Sequence, residues 1–313
     1  MSRLLFLAIL CLCLQAKAQR IAFWNVENLF DCQHDALKED YDFLPEGSYR
    51  WTRGRYWKKL DNLSRTIAAI AGDQAWPMVI GLCEVENDSV LRDLTRRSPL
   101  RMARYAYIHE EGPDIRGIDV AMLYDSLQFR PFGHKAVRIP SAQRGFRPTR
   151  DILHVWGRSS TLPDTLHIII VHLPSRARSG RKGKAHRLLA VETLCHLLDE
   201  LSGKSVLLMG DFNAEPTDRI FRSIQYRMTS LVPQSKKELR RAQGTYYFRG
   251  LWGFLDHIFV SPKLLPFVEE RVTIGRFPFL LTEKGTPWRT FQGPAYKGGF
   301  SDHLPIWVDL LSK

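Results

Sequence analysis

The chain has 313 residues, of which 44% are hydrophobic, and a formal net charge of +12. Its five cysteines exclude a disulfide scaffold, because Cys11 and Cys13 lie in an N-terminal apolar segment and the other three allow one bridge at most. The positive charge favours acidic partners such as nucleic acids, phosphorylated ligands or anionic membranes, although it is also compatible with a basic surface that only maintains solubility.

The first predicted element is a secretory signal peptide over residues 1–18. Arg3 precedes a continuous apolar segment from Leu4 to Leu14, and Ala16-Lys17-Ala18 supplies the small residues of a cleavage site. This segment is shorter than the roughly 20 apolar residues of a membrane-spanning helix. We therefore expect an exported mature protein, residues 19–313, in the periplasm or the medium and with no stable membrane span.

Eight short apolar runs rich in β-branched and aromatic residues predict strands. Several are too uniformly apolar for a sheet that has one face in water, so both faces should be covered. No linker, low-complexity tract or repeat divides residues 19–313, which predicts a single domain. In chain order the runs are RIAFWNV, MVIGLCEV, RYAYIHE, DVAMLYD, LHIIIVHL, SVLLMGDF, FLDHIFVS and LPIWVDL.

Two helices interrupt these strands. Apolar residues at three- and four-residue spacing predict one helix over residues 56–71 and another over residues 185–201, each followed by a glycine. A shorter helix is predicted after Pro216. Because strands outnumber helices, the pattern predicts an α/β fold of two packed sheets flanked by helices.

Polar residues recur where the predicted strands begin or end. Rigid strands that end in short loops suit a site that must hold several polar groups in place. Carboxylate and carboxamide oxygens favour Mg²⁺ or Mn²⁺ over Zn²⁺. Each residue alone is also explained by a helix cap, an Asx turn or a structural histidine, but their joint occurrence is not. The residues are Asn25, Glu84, Asp119, His172, Asp211, Asn213, Asp256, Asp302 and His303.

Seven ordered segments between residues 23 and 306 resemble the endonuclease/exonuclease/phosphatase superfamily, which includes deoxyribonuclease I, exonuclease III and the sphingomyelinases. They are FWNVEN, GLCEVEN, GIDVAMLY, VHLPSR, GDFN, FLDHIFVS and SDHLPI. The resemblance is closest to the secreted bacterial branch. It implies a four-layer α/β sandwich like that of deoxyribonuclease I, with two packed mixed β-sheets flanked by helices.

The resemblance also implies a metal site. Glu84 looks like the principal ligand of Mg²⁺ or Mn²⁺, with Asn25 beside it and Asp302 as a further ligand. An acidic site in a basic protein is consistent with a cation that binds a phosphate together with surrounding arginines and lysines.

The catalytic roles follow from the same resemblance. Asp211 and Asn213 would contact the attacking water and the scissile phosphate, and Asp256 would hold the tautomer of His303. His172 would donate to the phosphate or the leaving group. Whether Asp211 or His303 takes the proton from water stays open. Asp119, a weaker candidate, would orient a neighbouring arginine or histidine.

Two basic segments are candidates for substrate binding. Trp51 lies in RWTRGRYWKK (50–59), whose mixture of rings and basic residues suits single-stranded nucleic acid. Arg176 and Arg178 lie in SRARSGRKGKAHR (175–187), which follows His172 and suits phosphate contacts, and Asn213 is a further substrate contact.

These observations predict a monomeric nuclease that acts on DNA or RNA. One alternative is a phosphatase or sphingomyelinase-like phospholipase C that acts on a small phosphoester or a phospholipid. A non-catalytic phosphate-binding protein is the other.

Overall fold

The computed structural model describes residues 19–175 and 180–311. The predicted signal peptide and the predicted substrate contacts Arg176 and Arg178 lie outside these ranges. The strands are β1 (Gln19–Leu29), β2 (Val79–Val85), β3 (Ala106–His109), β4 (Asp119–Tyr124), β5 (Phe129–Val137), β6 (Ile152–Ser159), β7 (Thr165–His172), β8 (Ser205–Asp211), β9 (Thr229–Ser230), β10 (Tyr246–Phe248), β11 (Leu251–Gly253), β12 (Asp256–Val260), β13 (Thr273–Ile274), β14 (Phe291–Gln292), β15 (Ala295–Tyr296) and β16 (Ile306–Leu310). The α-helices are α1 (Arg53–Ala71), α2 (Asp88–Arg92), α3 (Gly180–Glu200), α4 (Arg222–Gln225) and α5 (Lys236–Ala242).

Two six-stranded sheets form the centre of the molecule. The first has the order β13-β16-β1-β2-β4-β3 and the second has the order β5-β6-β7-β8-β12-β9. Each sheet is mixed, because β1 and β2 run parallel in the first, β7 and β8 run parallel in the second, and the other neighbours are antiparallel. The predicted α/β architecture is confirmed.

Three apolar cores explain why the strand sequences are apolar on both faces. Phe23 of β1 and Ile168 of β7 point into the core between the sheets, whereas the adjacent Trp24 packs with α1 on the outside of the first sheet. Ile169 packs with α3 on the outside of the second sheet. Alternate side chains of one strand therefore enter different cores, which gives the four layers.

Both predicted long helices are present, and each begins earlier than predicted. The hydroxyl of Thr52 accepts a hydrogen bond from the Arg55 amide and so caps the start of α1, and Gly72, with a φ of 58°, caps its end. The segment after Pro216 forms a 3-10 turn at 219–221 and the single turn of α4. In the described part of the chain, no helix is long and apolar enough to cross a membrane.

Strands β5 and β6 have no counterpart among the predicted runs. β5 is the edge strand of its sheet, and most of its side chains are at least partly exposed. Its sequence, FRPFGHKAV, therefore contains several polar and charged residues and no apolar run. Its partner β6 places Arg158 and His154 among apolar residues, which interrupts the pattern in the same way.

Candidate active site

Two irregularities in neighbouring strands bring Asn25 and Glu84 together. The register of β1 against β2 shifts after Asn25, and the register of β2 against β4 shifts around Glu84. Glu84 has a φ of 64°, in the left-handed region that residues other than glycine seldom adopt. Its Oε2 accepts a hydrogen bond from the Asn28 amide at 2.9 Å. The strained backbone of Glu84 is a conformation that proteins usually retain at functional sites.

Asn25 connects the two sheets through its side-chain amide. Its Nδ2 lies 3.2 Å from Glu84 Oε1 in the first sheet and 3.1 Å from Asp211 Oδ2 at the end of β8 in the second. The Oδ1 atom of Asn25 accepts from the Glu27 amide at 2.9 Å. Carboxylates from two separate sheets are thus held on either side of one carboxamide.

His172 completes this group from the neighbouring strand. It is paired with Asp211 in the parallel register of β7 and β8. Its Nε2 lies 3.6 Å from Asp211 Oδ2 and 3.9 Å from Glu84 Oε1. The imidazole therefore faces both carboxylates.

The local backbone explains the residue type at two positions of the GDFN segment. A Cβ atom on Gly210 would lie 2.2 Å from the carbonyl oxygen of Val171, so only glycine lets β7 and β8 approach here. Asn213 has a φ of 50°, which asparagine tolerates well, and its Nδ2 donates to Leu173 O at 3.0 Å. The Asn213 amide in turn donates to Asp211 Oδ1 at 2.8 Å and fixes that carboxylate.

His303 lies between two carboxylates. Its Nδ1 is 2.8 Å from Asp256 Oδ2, and its Nε2 is 3.8 Å from Asp211 Oδ2. The hydroxyl of Thr245 also donates to Asp256 Oδ2. The predicted relationship between Asp256 and His303 is thus present in the geometry, with the imidazole oriented by a carboxylate that is itself hydrogen-bonded.

The two histidines are set to opposite protonation states. Burial favours the neutral form of both imidazoles. In His172 the nearby positive charges of Arg150, Arg116 and His303 also favour the neutral form, so the pKa of His172 falls well below its ordinary value. In His303 the charges of Asp256 and Asp211 overcome burial and raise the pKa well above its ordinary value. Burial raises the pKa of Asp211 to about 7, although His303 opposes the shift.

The donor set fits a divalent cation. Ligand atoms of Asp211, Asp256 and His303 lie within 4.8 Å of one another, and Asn25 donates hydrogen bonds to both Asp211 and Glu84. Asp256 Oδ1 and His172 Nδ1 are buried and have no hydrogen-bond partner among the described residues. Several carboxylates that share a buried site repel one another, and a bound cation relieves this repulsion.

The third predicted metal ligand, Asp302, is engaged in an ion pair. Its Oδ2 accepts a hydrogen bond from Arg289 at 2.6 Å. A cation that uses Asp302 must therefore compete with a guanidinium group for this carboxylate.

The prediction that Trp51 binds substrate is wrong. Its side chain is 0% exposed, and its Nε1 donates to the carbonyl oxygen of Phe30 at 2.9 Å. The indole packs against Phe291, with ring centroids 5.7 Å apart. Trp51 looked like a stacking residue because it lies among basic residues, but the chain turns it into the core outside the first sheet.

Sequence reasoning missed two arginines beside the site. Arg150 is 5% exposed, pairs with Asp114 at 3.0 Å, and donates to Leu173 O, the same carbonyl that Asn213 contacts. Arg289 lies on the other side, next to Asp302. Arg150 follows no apolar run, so no local signal marked it. Arg289 lies in residues 275–300, a segment rich in Phe, Trp, Pro and Gly that comes just before His303, and this position was the available signal.

Residues 20–312 match the family model described as the Endonuclease/Exonuclease/phosphatase family. The chain belongs to this family. Its members hydrolyse ester bonds, and the chain is a hydrolase of that type. No curated protein matches the chain significantly in sequence.

Solved structures share the fold over almost the whole chain. Humanized D. rerio TDP2 has a TM-score of 0.62 at 15% identity, and the match covers 94% of this chain and 99% of that one. The human Nocturnin catalytic domain with bound sulfate has a TM-score of 0.57 at 16% identity and covers 95% and 94%. A Bacteroides thetaiotaomicron mannosyl-6-phosphatase has a TM-score of 0.58 at 16% identity and covers 94% and 99%. At these identities the likeness concerns the fold.

Proposed function

We propose that this protein is an exported, divalent-metal-dependent phosphodiesterase that hydrolyses nucleic acid. The observation that carries the proposal is the convergence of Glu84 and Asp211 from two sheets on the amide of Asn25, with His303 held by Asp256 beside them. Such a set can bind a cation, orient a water molecule and stabilise negative charge on a phosphate.

The protonation states of the neighbouring side chains Asp211 and His303 favour one assignment of the general base. Asp211, with a pKa raised to about 7 chiefly by burial, is suited to accept a proton from water near neutral pH. His303, whose pKa is raised well above its ordinary value, is suited to donate from an imidazolium to phosphate oxygens. Asp256 holds that imidazolium through Nδ1. We therefore assign the base to Asp211 and the charged donor to His303.

The remaining residues orient the phosphate. His172 is neutral, and its Nε2 faces Asp211 and Glu84, so it can donate a hydrogen bond to a phosphate oxygen or to the leaving group. Asn213 is fixed at the rim by its contact with Leu173 O. Glu84, with Asn25 beside it, would hold the Mg²⁺ or Mn²⁺ ion, which would supply positive charge to the phosphoryl oxygens.

Nucleic acid is the proposed substrate because of the charge of the chain. The formal net charge is +12, and Arg116 and Arg150 lie close enough to affect the pKa of His172. A similar fold, D. rerio TDP2, has been solved with a single-stranded DNA product. Phosphate contacts of this kind supply most of the affinity in binding that does not depend on base sequence.

A sugar phosphomonoester is the second candidate substrate. The similar B. thetaiotaomicron structure is named a mannosyl-6-phosphatase. The burial of Trp51 also removes one of the rings expected to stack on bases. Metal-assisted attack on a phosphorus atom is the same chemistry for both substrates, so only a comparison of rates can distinguish them.

A substrate panel tests the proposal. Mature protein would be assayed with supercoiled plasmid, single-stranded DNA and RNA, mannose 6-phosphate and sphingomyelin, each with EDTA, Mg²⁺ or Mn²⁺. We expect plasmid nicking or oligonucleotide cleavage that EDTA abolishes. Faster release of phosphate from the sugar ester would instead favour the second candidate, and inactivity on every substrate at all metal concentrations would contradict both.

Variants connect any activity to this site. Asp211→Asn and Glu84→Gln should lose at least about 100-fold in kcat, whereas Asp61→Asn on the exposed face of α1 should retain the wild-type rate. Export is tested by expressing the full chain in a bacterial host and determining the N-terminus of the exported protein. A start at Gln19 is expected, and retention of the uncleaved chain in the cytoplasm would contradict export.

A further inference from the structure

A second group of potential ligands lies outside the catalytic residues, in the hairpin of β3 and β4. We call His109, Glu111 and Asp119 the hairpin cluster. His109 is the last residue of β3, Asp119 is the first residue of β4, and Glu111 lies in the loop that joins them. One ligand atom from each residue lies within 4.8 Å of the others.

The imidazole of His109 is buried without a partner in this cluster. Its side chain is 5% exposed, and within the described part of the chain its Nε2 has no hydrogen-bond partner. This atom lies 3.9 Å from Asp119 Oδ2, which is too long for a hydrogen bond. Burial lowers the pKa of His109 and so favours the neutral ring, and the tautomer protonated at Nδ1 presents the Nε2 lone pair to a ligand. A buried polar atom without a partner has an energetic cost that a bound ion removes.

The loop closes tightly over Asp119. The Gly112 amide donates to Asp119 Oδ2 at 2.9 Å, and a Cβ atom at position 112 would lie 2.1 Å from Asp119 Oδ1. Glycine therefore allows the backbone to wrap around this carboxylate. The Asp119 side chain is 3% exposed, and Oδ2, the oxygen that accepts from the Gly112 amide, is also the atom 3.9 Å from His109 Nε2.

Among the described residues, one ammonium group lies at the cluster, that of Lys38. It contacts Glu111 and neither His109 nor Asp119. Lys38 Nζ lies 2.6 Å from Glu111 Oε1 and donates to Gly112 O at 2.8 Å. Glu110 and Asp88 add negative charge near His109. The Glu111 side chain is 49% exposed, so the cluster is open to solvent on that side. A metal ion would compete with Lys38 for Glu111 alone.

We propose that the hairpin cluster binds a divalent transition-metal ion of the Zn²⁺ or Mn²⁺ class through His109 Nε2, Asp119 and Glu111. One imidazole nitrogen with two carboxylates is softer than the all-oxygen sets that Mg²⁺ and Ca²⁺ prefer. Ligand atoms bound to one such ion are roughly 3 to 4 Å apart, so side-chain shifts of about 1 Å complete the site.

The position of the cluster gives such an ion a structural role. Asp119 is paired with Val85, the residue that directly follows Glu84 in β2. An ion at the hairpin cluster would tie the loop between β3 and β4 to the strand beside the catalytic carboxylate. It is a separate site from the catalytic one, because the described residues place His109, Glu111 and Asp119 in one group of potential ligands and Asp211, Asp256 and His303 in another.

Metal titration in a variant with a disabled catalytic site tests the proposal. The mature protein, residues 19–313, would carry Glu84→Gln and Asp211→Asn. Its Zn²⁺ binding would be measured by calorimetry and its Mn²⁺ binding by electron paramagnetic resonance. We expect one remaining site. Adding His109→Gln, or separately Glu111→Gln, should weaken it by at least about 10-fold, whereas His196→Gln on the exposed face of α3 should leave it unchanged.

A variant with the opposite expected effect separates binding from folding. Lys38→Met removes the competing ammonium and should tighten Zn²⁺ binding, a result that damage to the hairpin would not produce. Thermal unfolding of each variant in EDTA shows whether it is folded. The proposal is overturned if the double variant binds neither ion, or if His109→Gln and Glu111→Gln both bind as tightly as their parent.

Discussion

Asp211 and Asp256 are direct partners across the antiparallel strands β8 and β12, and His303 lies against both. Two buried carboxylates in adjacent strands repel each other unless a positive charge lies between them. The imidazolium of His303 supplies that charge, with Nδ1 2.8 Å from Asp256 and Nε2 3.8 Å from Asp211. The residue proposed as base and the residue proposed as charged donor are therefore electrostatically dependent on each other.

Replacing Asp256 should expose this dependence. The charge of Asp256 makes the largest contribution to raising the pKa of His303 against the effect of burial. Asp256→Asn removes this charge, so the pKa of His303 should fall and the imidazolium should lose its proton at a lower pH. We expect kcat to decrease roughly 10³- to 10⁴-fold, as for other carboxylates that orient a catalytic histidine. A pH-rate profile and NMR titration of His303 measure the two effects.

Thr245→Val provides the matched control. It removes the hydroxyl that donates to Asp256 Oδ2 but keeps the carboxylate. A loss of less than about 10-fold is expected, in line with one neutral hydrogen bond. An unchanged His303 titration in Asp256→Asn would contradict the proposed role of this carboxylate.

The strands and their polar ends could be predicted because burial on both faces leaves a continuous apolar run. Asn25, Asp211 and His303 directly precede or follow such runs. The left-handed backbone of Glu84 could not be predicted, because glutamate has no preference for it and the register shift depends on β1 and β4. Arg150 was missed because its burial results from contacts with Asp114 and a distant carbonyl.

Trp51 shows the opposite error, and its variants should affect stability rather than binding. Trp51→Phe leaves the Phe30 carbonyl without its donor and should lower the free energy of unfolding by about 1 to 3 kcal/mol. Trp51→Ala should lower it by about 3 to 5 kcal/mol. Urea denaturation measures both, with Tyr226→Ala, whose side chain is exposed, as a control within about 0.5 kcal/mol of wild type. A higher KM for nucleic acid in a stably folded Trp51→Phe variant would restore the stacking interpretation.

Arg289 should weaken metal binding in the wild-type protein through its ion pair with Asp302. If Asp302 is a metal ligand, Arg289→Met removes a competing cation and should lower the Mg²⁺ concentration for half-maximal activity by about 10-fold, which corresponds to about 1.4 kcal/mol. Mg²⁺ titrations at saturating substrate measure this effect. Arg276→Met, in the same segment but bonded to the carbonyls of Ala242 and Gly244, is the control. A higher Mg²⁺ requirement in Arg289→Met would exclude Asp302 as a ligand that Arg289 masks.

Glu86 should make the protein less stable as pH rises. Burial, with a further contribution from Asp31, raises the pKa of Glu86 from 4.5 to about 9. Between these values the folded protein keeps a proton that the unfolded chain has lost, so the free energy of unfolding falls as pH increases, by at most about 1.4 kcal/mol per pH unit.

Glu86→Gln can still accept the hydrogen bond from the Asp31 amide but cannot ionise. Its unfolding free energy should match that of wild type near pH 4 and exceed it near pH 9. Urea midpoints in EDTA across this range measure the difference, and exposed Glu192→Gln on α3 should keep the wild-type slope. An equal slope in Glu86→Gln would show that Glu86 is already ionised in the folded protein.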